Sequence, residues 1–458
     1  MKLRSNEHRL NLRLPKVTFR AVDELRYEGI GKLSCNAWVE LAIREKIDRD
    51  SYRSATRLAS NDPAGRTFYE FFAGGGMARC GLGEGWQCTF ANDFDPMKAR
   101  VYRDNWNGGS ELVVEDVNKI TTRQLPGVAD LVWASFPCQD LSLAGSYRGI
   151  GNSDDKKQTR SGTFWPFWKL ISNLCAEGRA PKVVVLENVL GVLTSNCGKD
   201  FEAIASAIVA AGYKLGALVI DAKHFVPQSR PRVFIVCVRT GLAVEPDLVA
   251  KYAVAPWHVE ALRSAHATLP LQVQRNWLWW ALPSPSKRET KFIDLVEADP
   301  TGVAWHSSAE TKQLLAMMSP SHLQKVEAAQ ELGEKIVGGV YRRTRLDEQG
   351  KKIQRAEVRF DDLAGCLRTP SGGSSRQMIL LIEGKRVHSR LLSAREAARL
   401  MGLPDSYKLP TNYNDAYHVA GDGLVVPAVR HLADHLLTPL IESNRPQTVL
   451  PLKVASRA

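Results

Sequence analysis

From Thr67 onward the chain repeats one pattern: a short apolar run, a turn, a helical segment, then another apolar run. TFYEFFAGGGMARCGLGEGW reads as a strand, a glycine turn and a helix start. TFAND is a second strand, a helix is expected over about 96 to 105, and LVVED is a third strand. ADLVWAS, a helix near 164 to 176, KVVVLEN, a helix near 199 to 211, and the pair KLGALVIDA and RVFIVCV continue the series. Strands this short and apolar must be covered on both faces, and helices packed on either side do that. The alternation predicts an α/β fold built on a doubly wound sheet.

The 458 residues exceed one ordinary core, so further units are expected around this sheet. At the N-terminus HRLNLRL alternates at period two. Leu10, Leu12 and Leu14 point one way and Arg9, Asn11 and Arg13 the other. A helix over 17 to 28 closes at Gly29 and Gly31, and Ser34 suits the N-cap of a second, CNAWVELAIREKID. Residues 1–50 therefore resemble the ribbon-helix-helix family through LNLRLP and SCNAWVELAIRE. That likeness implies a homodimer through paired strands, with Arg9, Asn11 and Arg13 facing DNA bases. A small interaction module with a solvated polar face is the competing reading. Residues 51–66 are polar and rich in chain breakers, a linker. Residues 67–240 form the predicted α/β domain. Residues 241–388 lose the rhythm and read as a separate, irregular domain. Periodicity returns in 389–445, and 446–458 is a tail.

Hydrophobic residues make up 44% and charged residues 24%, a globular balance that excludes wholesale disorder. No apolar run of 18 residues occurs, so no membrane span is expected, and the basic start lacks the apolar core of a signal peptide. A cytoplasmic protein, bacterial or phage-encoded, is the expectation. Eight cysteines are scattered without a CxxC pair, so neither a metal site nor a disulfide framework is signalled. The net charge of +12 favours a polyanionic partner but does not prove one.

Two groups of residues carry chemistry. In the first, FAGGG (72–76) lets a ligand approach the backbone after the first strand. Asp93 and Asp116 end the next two strands, where they suit a ribose and an adenine edge. No GxxxxGK[ST] run accompanies them, so adenosine without a triphosphate grip points to S-adenosylmethionine. A structural turn with two surface carboxylates is the bland alternative. In the second, Cys138 follows ADLVWASFP at a strand's carboxyl end, and Glu187 in LENV ends the next strand. Gln228, Arg230 and Arg232 in FVPQSRPR lead into another. A nucleophile, a carboxyl and guanidinium groups thus converge on one edge.

With these residues assembled, the sequence resembles the DNA cytosine-5 methyltransferases: FAGGG, PCQ, ENV, QSRPR and a late GDGLVVP stand in that family's order. The resemblance implies a Rossmann-like S-adenosylmethionine-dependent domain acting on double-stranded DNA. Phe72, Ala73, Gly74, Gly75, Gly76, Asp93, Phe94, Asp116, Val117, Pro137 and Asp422 would line the cofactor site. Cys138 would attack the base and Glu187 would hold its N3 edge. Arg232, with Arg230 and Gln228, would stand at the reacting centre, and Gln139 and Ser142 would touch DNA. Residues 140 to 164 would close over a flipped base, and 241–388 would read the target, with the basic YRRTRLDEQGKKIQRAEVRF on phosphates. Two positions depart from the family. Asp422 stands where Asn is usual, and its extra carboxylate is expected to weaken or alter cofactor binding. Leu403 stands where Phe is more common, a packing change. RNA methylation and a non-catalytic DNA-binding regulator on the same fold remain as alternatives.

Overall fold

The computed structural model describes residues 65–137, 163–347, 349–368 and 376–445. They fall in one unit beginning at Gly65. The expectations for Arg9, Asn11, Arg13, Cys138, Gln139, Ser142 and all but the last two residues of the closing segment 140 to 164 lie outside the described residues.

A seven-stranded sheet forms the centre. Its strands are β1 (Arg66–Phe71), β2 (Trp86–Asp93), β3 (Leu112–Val114), β4 (Leu131–Ala134), β5 (Val183–Val189), β6 (Tyr213–Asp221) and β7 (Pro231–Arg239), in the order β3-β2-β1-β4-β5-β7-β6. The first five in this order run parallel, and β7 lies antiparallel between β5 and β6. The strand pattern foresaw the members of this sheet; the reversed β7 is an addition to it, because apolar periodicity carries no direction. Alternate residues face opposite sides, as a pleated strand requires. In β4, Leu131 and Trp133 enter one core and Val132 and Ala134 the other. The first core is covered by α1 (Met77–Leu82), α2 (Pro96–Asn105) and the late helices Ala394–Leu400, Tyr413–Asp422 and Val426–Leu432. The second is covered by α3 (Phe164–Ala176) and α4 (Lys199–Ala210). Asp95 caps α2 by accepting from the Met97 and Lys98 amides, with Pro96 at the first helical position. Gly81 lets α1 lie directly on Val429, since a Cβ there would run into that side chain.

The stretch expected to be irregular contains ordered structure. Val249–Ala250 pairs with Trp279–Trp280, and helices Ser308–Ala316 and Pro320–Glu331 precede a four-stranded antiparallel sheet. Numbering on from those short strands as β8 and β9, it comprises β10 (Lys335–Leu346), β11 (Lys352–Arg359), β12 (Met378–Glu383) and β13 (Arg386–Leu391), in the order β11-β10-β12-β13. Two features disguise it in the sequence. Gly338 and Gly339 sit inside β10, where Phe360 and Gln377 press too close for a side chain, and the far end of β10 is charged and exposed. The expected boundary at 388 falls inside β13. Among the described residues no helix is long and apolar enough to cross a membrane.

Candidate active site

The strand order reverses between β1 and β4, and ligands of open α/β sheets bind outside the carboxyl ends at such a point. Register shows what meets there. Phe71, Ala134 and Leu186 lie in one row across β1, β4 and β5. The residues one step beyond are Phe72, Ser135 and Glu187.

On the β1–β2 side, Phe72 adopts a φ of 57°, a left-handed conformation that a non-glycine residue holds only under strain. Ala73 is buried and its amide donates to the Asn92 carbonyl at 2.9 Å. Gly74 has a φ of 56°, and a Cβ there would meet open space. At Gly75 a Cβ would strike the Tyr407 hydroxyl, and at Gly76 a Cβ would strike the Trp106 ring while a φ of 78° favours glycine as well. Tyr407 also donates to the Gly75 carbonyl at 2.7 Å. Asp93 is buried and accepts from the Gly74 amide at 2.8 Å and the Asp95 amide at 2.9 Å, so it shapes the turn directly. Burial raises its pKa, with Lys98 and those amides working against the rise. Phe94 beside it is 68% exposed, a large apolar ring left in water at the strand end. Asp116 accepts from the Asn118 amide at 2.9 Å and caps a short turn in which Val117 is buried. Pro137 is half-buried at the end of the described β4 segment.

On the β5–β7 side, Glu187 is buried and pairs with Arg232, Nε to Oε1 3.3 Å. The Ser135 hydroxyl donates to Glu187 and accepts from the Trp133 indole at 3.1 Å. Burial pushes the Glu187 carboxyl above its ordinary range; Arg232, Arg230 and Ser135 oppose that push without cancelling it. Asn188 holds the Phe136 carbonyl at 3.4 Å and so ties this strand to the segment that leads to Cys138.

Gln228 and Arg230 are placed differently from expectation. Gln228 is wholly buried, donates to the Leu400 carbonyl at 2.7 Å and accepts from the Leu367 amide at 3.1 Å. Arg230 is buried and donates to the carbonyls of Leu367, Gly421 and Gly423 at 2.8 to 2.9 Å. The Gln228 amide and the two terminal nitrogens of Arg230 tie the segment entering β7 to distant segments, as buried polar groups require, while the buried Arg230 Nε is left without a partner. Asp422, in the last turn of its helix, pairs with Lys98 of α2 at 2.8 Å. Burial disfavours the Lys98 ammonium, and Asp422 and then Asp93 more than offset it, so its pKa is raised. Sequence reasoning missed Lys98, Tyr407 and Cys366. Tyr407 and Cys366 reach the site from remote stretches of chain, and Lys98, though local, shows its role only once the remote Asp422 is beside it.

A Rossmann-like sheet with a glycine turn at the switch point, carboxylates on the next strands and a largely buried carboxyl–guanidinium pair fits the class of α/β enzymes that bind nucleoside-bearing ligands. Residues 66–438 match the model of the C-5 cytosine-specific DNA methylase family. The chain belongs to that family, and its activity is that of a DNA (cytosine-5) methyltransferase. Type II methyltransferase M.HhaI of Haemophilus parahaemolyticus is 25% identical over 374 residues, covering 81% of this chain and 93% of the relative. A DNA-cytosine methyltransferase of Escherichia coli K12 is 24% identical over 461 aligned positions, covering 90% and 88%. The S. pombe Dnmt2 methyltransferase structure superposes with a TM-score of 0.50 at 15% identity over 82% of this chain and 98% of its own, which shows a shared fold.

Proposed function

We propose that this chain transfers a methyl group from S-adenosylmethionine to C5 of a cytosine turned out of double-stranded DNA, with Cys138 as nucleophile and Glu187 as proton donor. The observation that supports this most is the Glu187–Arg232 pair between β5 and β7, with the Glu187 carboxyl raised by burial one position past the row of Ala134 and Leu186.

The β1–β2 end fits an adenosine-bearing cofactor. Gly74 leaves open space beside the backbone, Phe94 offers an uncovered ring for stacking, and Asp93 and Asp116 retain acceptor capacity for hydroxyl and amine donors. When bound, S-adenosylmethionine supplies an electrophilic methyl group on a sulfonium. The residues of the chain make the cytosine able to take it. The Cys138 thiolate adds to C6, and the C5–C6 electron pair becomes available at C5. Glu187 gives its proton to N3, where negative charge develops. Arg232 beside it stabilises the carboxylate that remains. After C5 takes the methyl, a water removes the C5 proton, the ring electrons return, Cys138 leaves C6 as thiolate, and N3 gives its proton back to Glu187. The exposed basic side chains of β10 and β11, among them Arg343, Arg345 and Lys352, suit DNA phosphates. Residues 1–50 would add a further grip on DNA or a dimer contact.

Bisulfite sequencing of DNA from cells expressing the chain, beside Cys138→Ala, tests the reading. Methylcytosines in one sequence context that vanish with the variant are expected. A folded, cofactor-binding chain that leaves DNA unmethylated would overturn it in favour of RNA or a regulatory role.

A further inference from the structure

One thiol of the described chain has no place in the reaction above, yet it touches its machinery. The Cys366 sulfur lies 3.4 Å from Arg230 Nη1 and 3.9 Å from Arg232 Nη2. It is carried there by the segment 364–368, which leaves β11 and runs along the QSRPR stretch. The Ala364 amide donates to the Pro227 carbonyl at 2.8 Å and the Ser229 amide to the Ala364 carbonyl at 2.9 Å. Leu367 then meets Gln228 and Arg230 through its amide and carbonyl. Gly365 makes the approach possible, since a Cβ there would overlap the Tyr341 hydroxyl.

The electrostatics give this position a purpose. Arg230 and Arg232 are two residues apart, and burial followed by the charge of Arg232 depresses the Arg230 pKa. Two guanidinium groups held close in a dry edge repel unless a negative group stands between them. Glu187, Arg232, Cys366 and Arg230 then form a row that alternates in charge when the sulfur is a thiolate. Burial pushes the Cys366 thiol up, and Arg230 and Arg232, with a smaller share from Arg368, outweigh it and bring its pKa below the ordinary thiol value. Cys80, Cys88 and Cys237 are pushed up by burial instead.

We infer that Cys366 is a positioning residue of the methyl transfer: its sulfur, seated between the guanidinium groups of Arg230 and Arg232, holds Arg232 against Glu187. The inference rests on the cytosine reading proposed above. Cys366 touches neither base nor cofactor in this account and acts through Arg232.

The test replaces Cys366 by Ala, Ser and Asp in the full chain. It measures kcat, the KM values for S-adenosylmethionine and DNA, thermal melting, and adduct formation with a 5-fluorocytosine oligonucleotide. Cys366→Ala is expected to lower kcat about tenfold with both KM values within about twofold, the pattern of a lost transition-state interaction. Cys366→Asp restores a negative group and should recover most of the rate, with Ser slower than Asp. A folded Ala variant with wild-type kcat overturns the proposal, as does Asp no faster than Ser. If Ala unfolds the chain, the Asp-versus-Ser comparison alone decides. A wild-type chain that forms no adduct would defeat the underlying cytosine reading instead, so the two failures are distinguishable.

Discussion

At the ends of β1 and β2, the groups around Gly74 come from one stretch of chain, Phe71 to Lys98, and are fixed by bonds within it. At the ends of β5 and β7, the groups around Arg232 come from Glu187, from Cys366 and, through Arg230, from the carbonyls of Gly421 and Gly423. The first end is held within its own βαβ unit. The second adds contacts from the late helices and from the loop between β11 and β12 to those of its own strands. The late segment also reaches the first end, through Tyr407 on Gly75 and Asp422 on Lys98, but there it covers a frame already made. Changes at the second end should therefore reach catalysis or global stability, and changes at the first should stay local to cofactor affinity.

The largest effect is expected at Glu187. Glu187→Gln keeps the shape and removes the proton, and the methyl-transfer rate should fall by about 10²–10³-fold while cofactor affinity holds. The sign with pH follows from the raised pKa. The protonated form persists to higher pH than in an ordinary carboxyl, and wild-type activity declines as pH rises through the raised value. Glu187→Gln should lose that limb. A pH–rate profile that keeps it would assign the proton to another group.

The next pair of changes splits residues that the sequence presents as equals. Arg230→Met strands the carbonyls of Leu367, Gly421 and Gly423 and should destabilise the chain by about 2–4 kcal/mol. Arg232→Met removes a half-buried group from the reacting edge and should lower the rate about 10–100-fold with stability within about 1 kcal/mol. Melting curves beside single-turnover rates check both. Equal melting losses would erase the distinction between rivet and reacting-edge residue.

Those two arginines also mark how far the sequence could be read. FAGGG, LENV and QSRPR could be singled out because each is short and local, and the alternation of apolar runs announced the sheet. The burial of Gln228 and Arg230 was hidden, because their partners lie well over a hundred residues further along the chain. The β10–β13 sheet was hidden by Gly338 and Gly339 in a strand whose exposed end is charged. Cys366 carried no pattern at all, since a single cysteine in a polar stretch gives no hint of what faces it.

A smaller effect is expected at the first end. Phe94→Ala removes a ring that is 68% exposed and supports no core. Affinity for S-adenosylmethionine should weaken by about 1–2 kcal/mol, as for a lost stacking surface, with no shift in melting temperature. Calorimetric titration reads this directly, and unchanged affinity would remove the ring from the cofactor site.

The smallest effect is expected at Asp422, the position where the carboxylate departs from the usual amide. Taken alone, that carboxylate should disturb a cofactor nearby. Lys98 answers it at 2.8 Å, with the two side chains 21% and 34% exposed, so the charge that reaches the site is largely balanced. A partly exposed pair of this kind is worth about 0–1 kcal/mol, and Asp422→Asn should change the cofactor dissociation constant by no more than about fivefold. Salt should shrink the change further, because screening acts on exposed charges first. The cycle of Lys98→Ala, Asp422→Asn and the double variant separates two cases. A coupling of about 0.5 kcal/mol or more places the action of Asp422 in the pair. A change above tenfold from Asp422→Asn alone, with Lys98→Ala silent, would place the carboxylate on the cofactor itself.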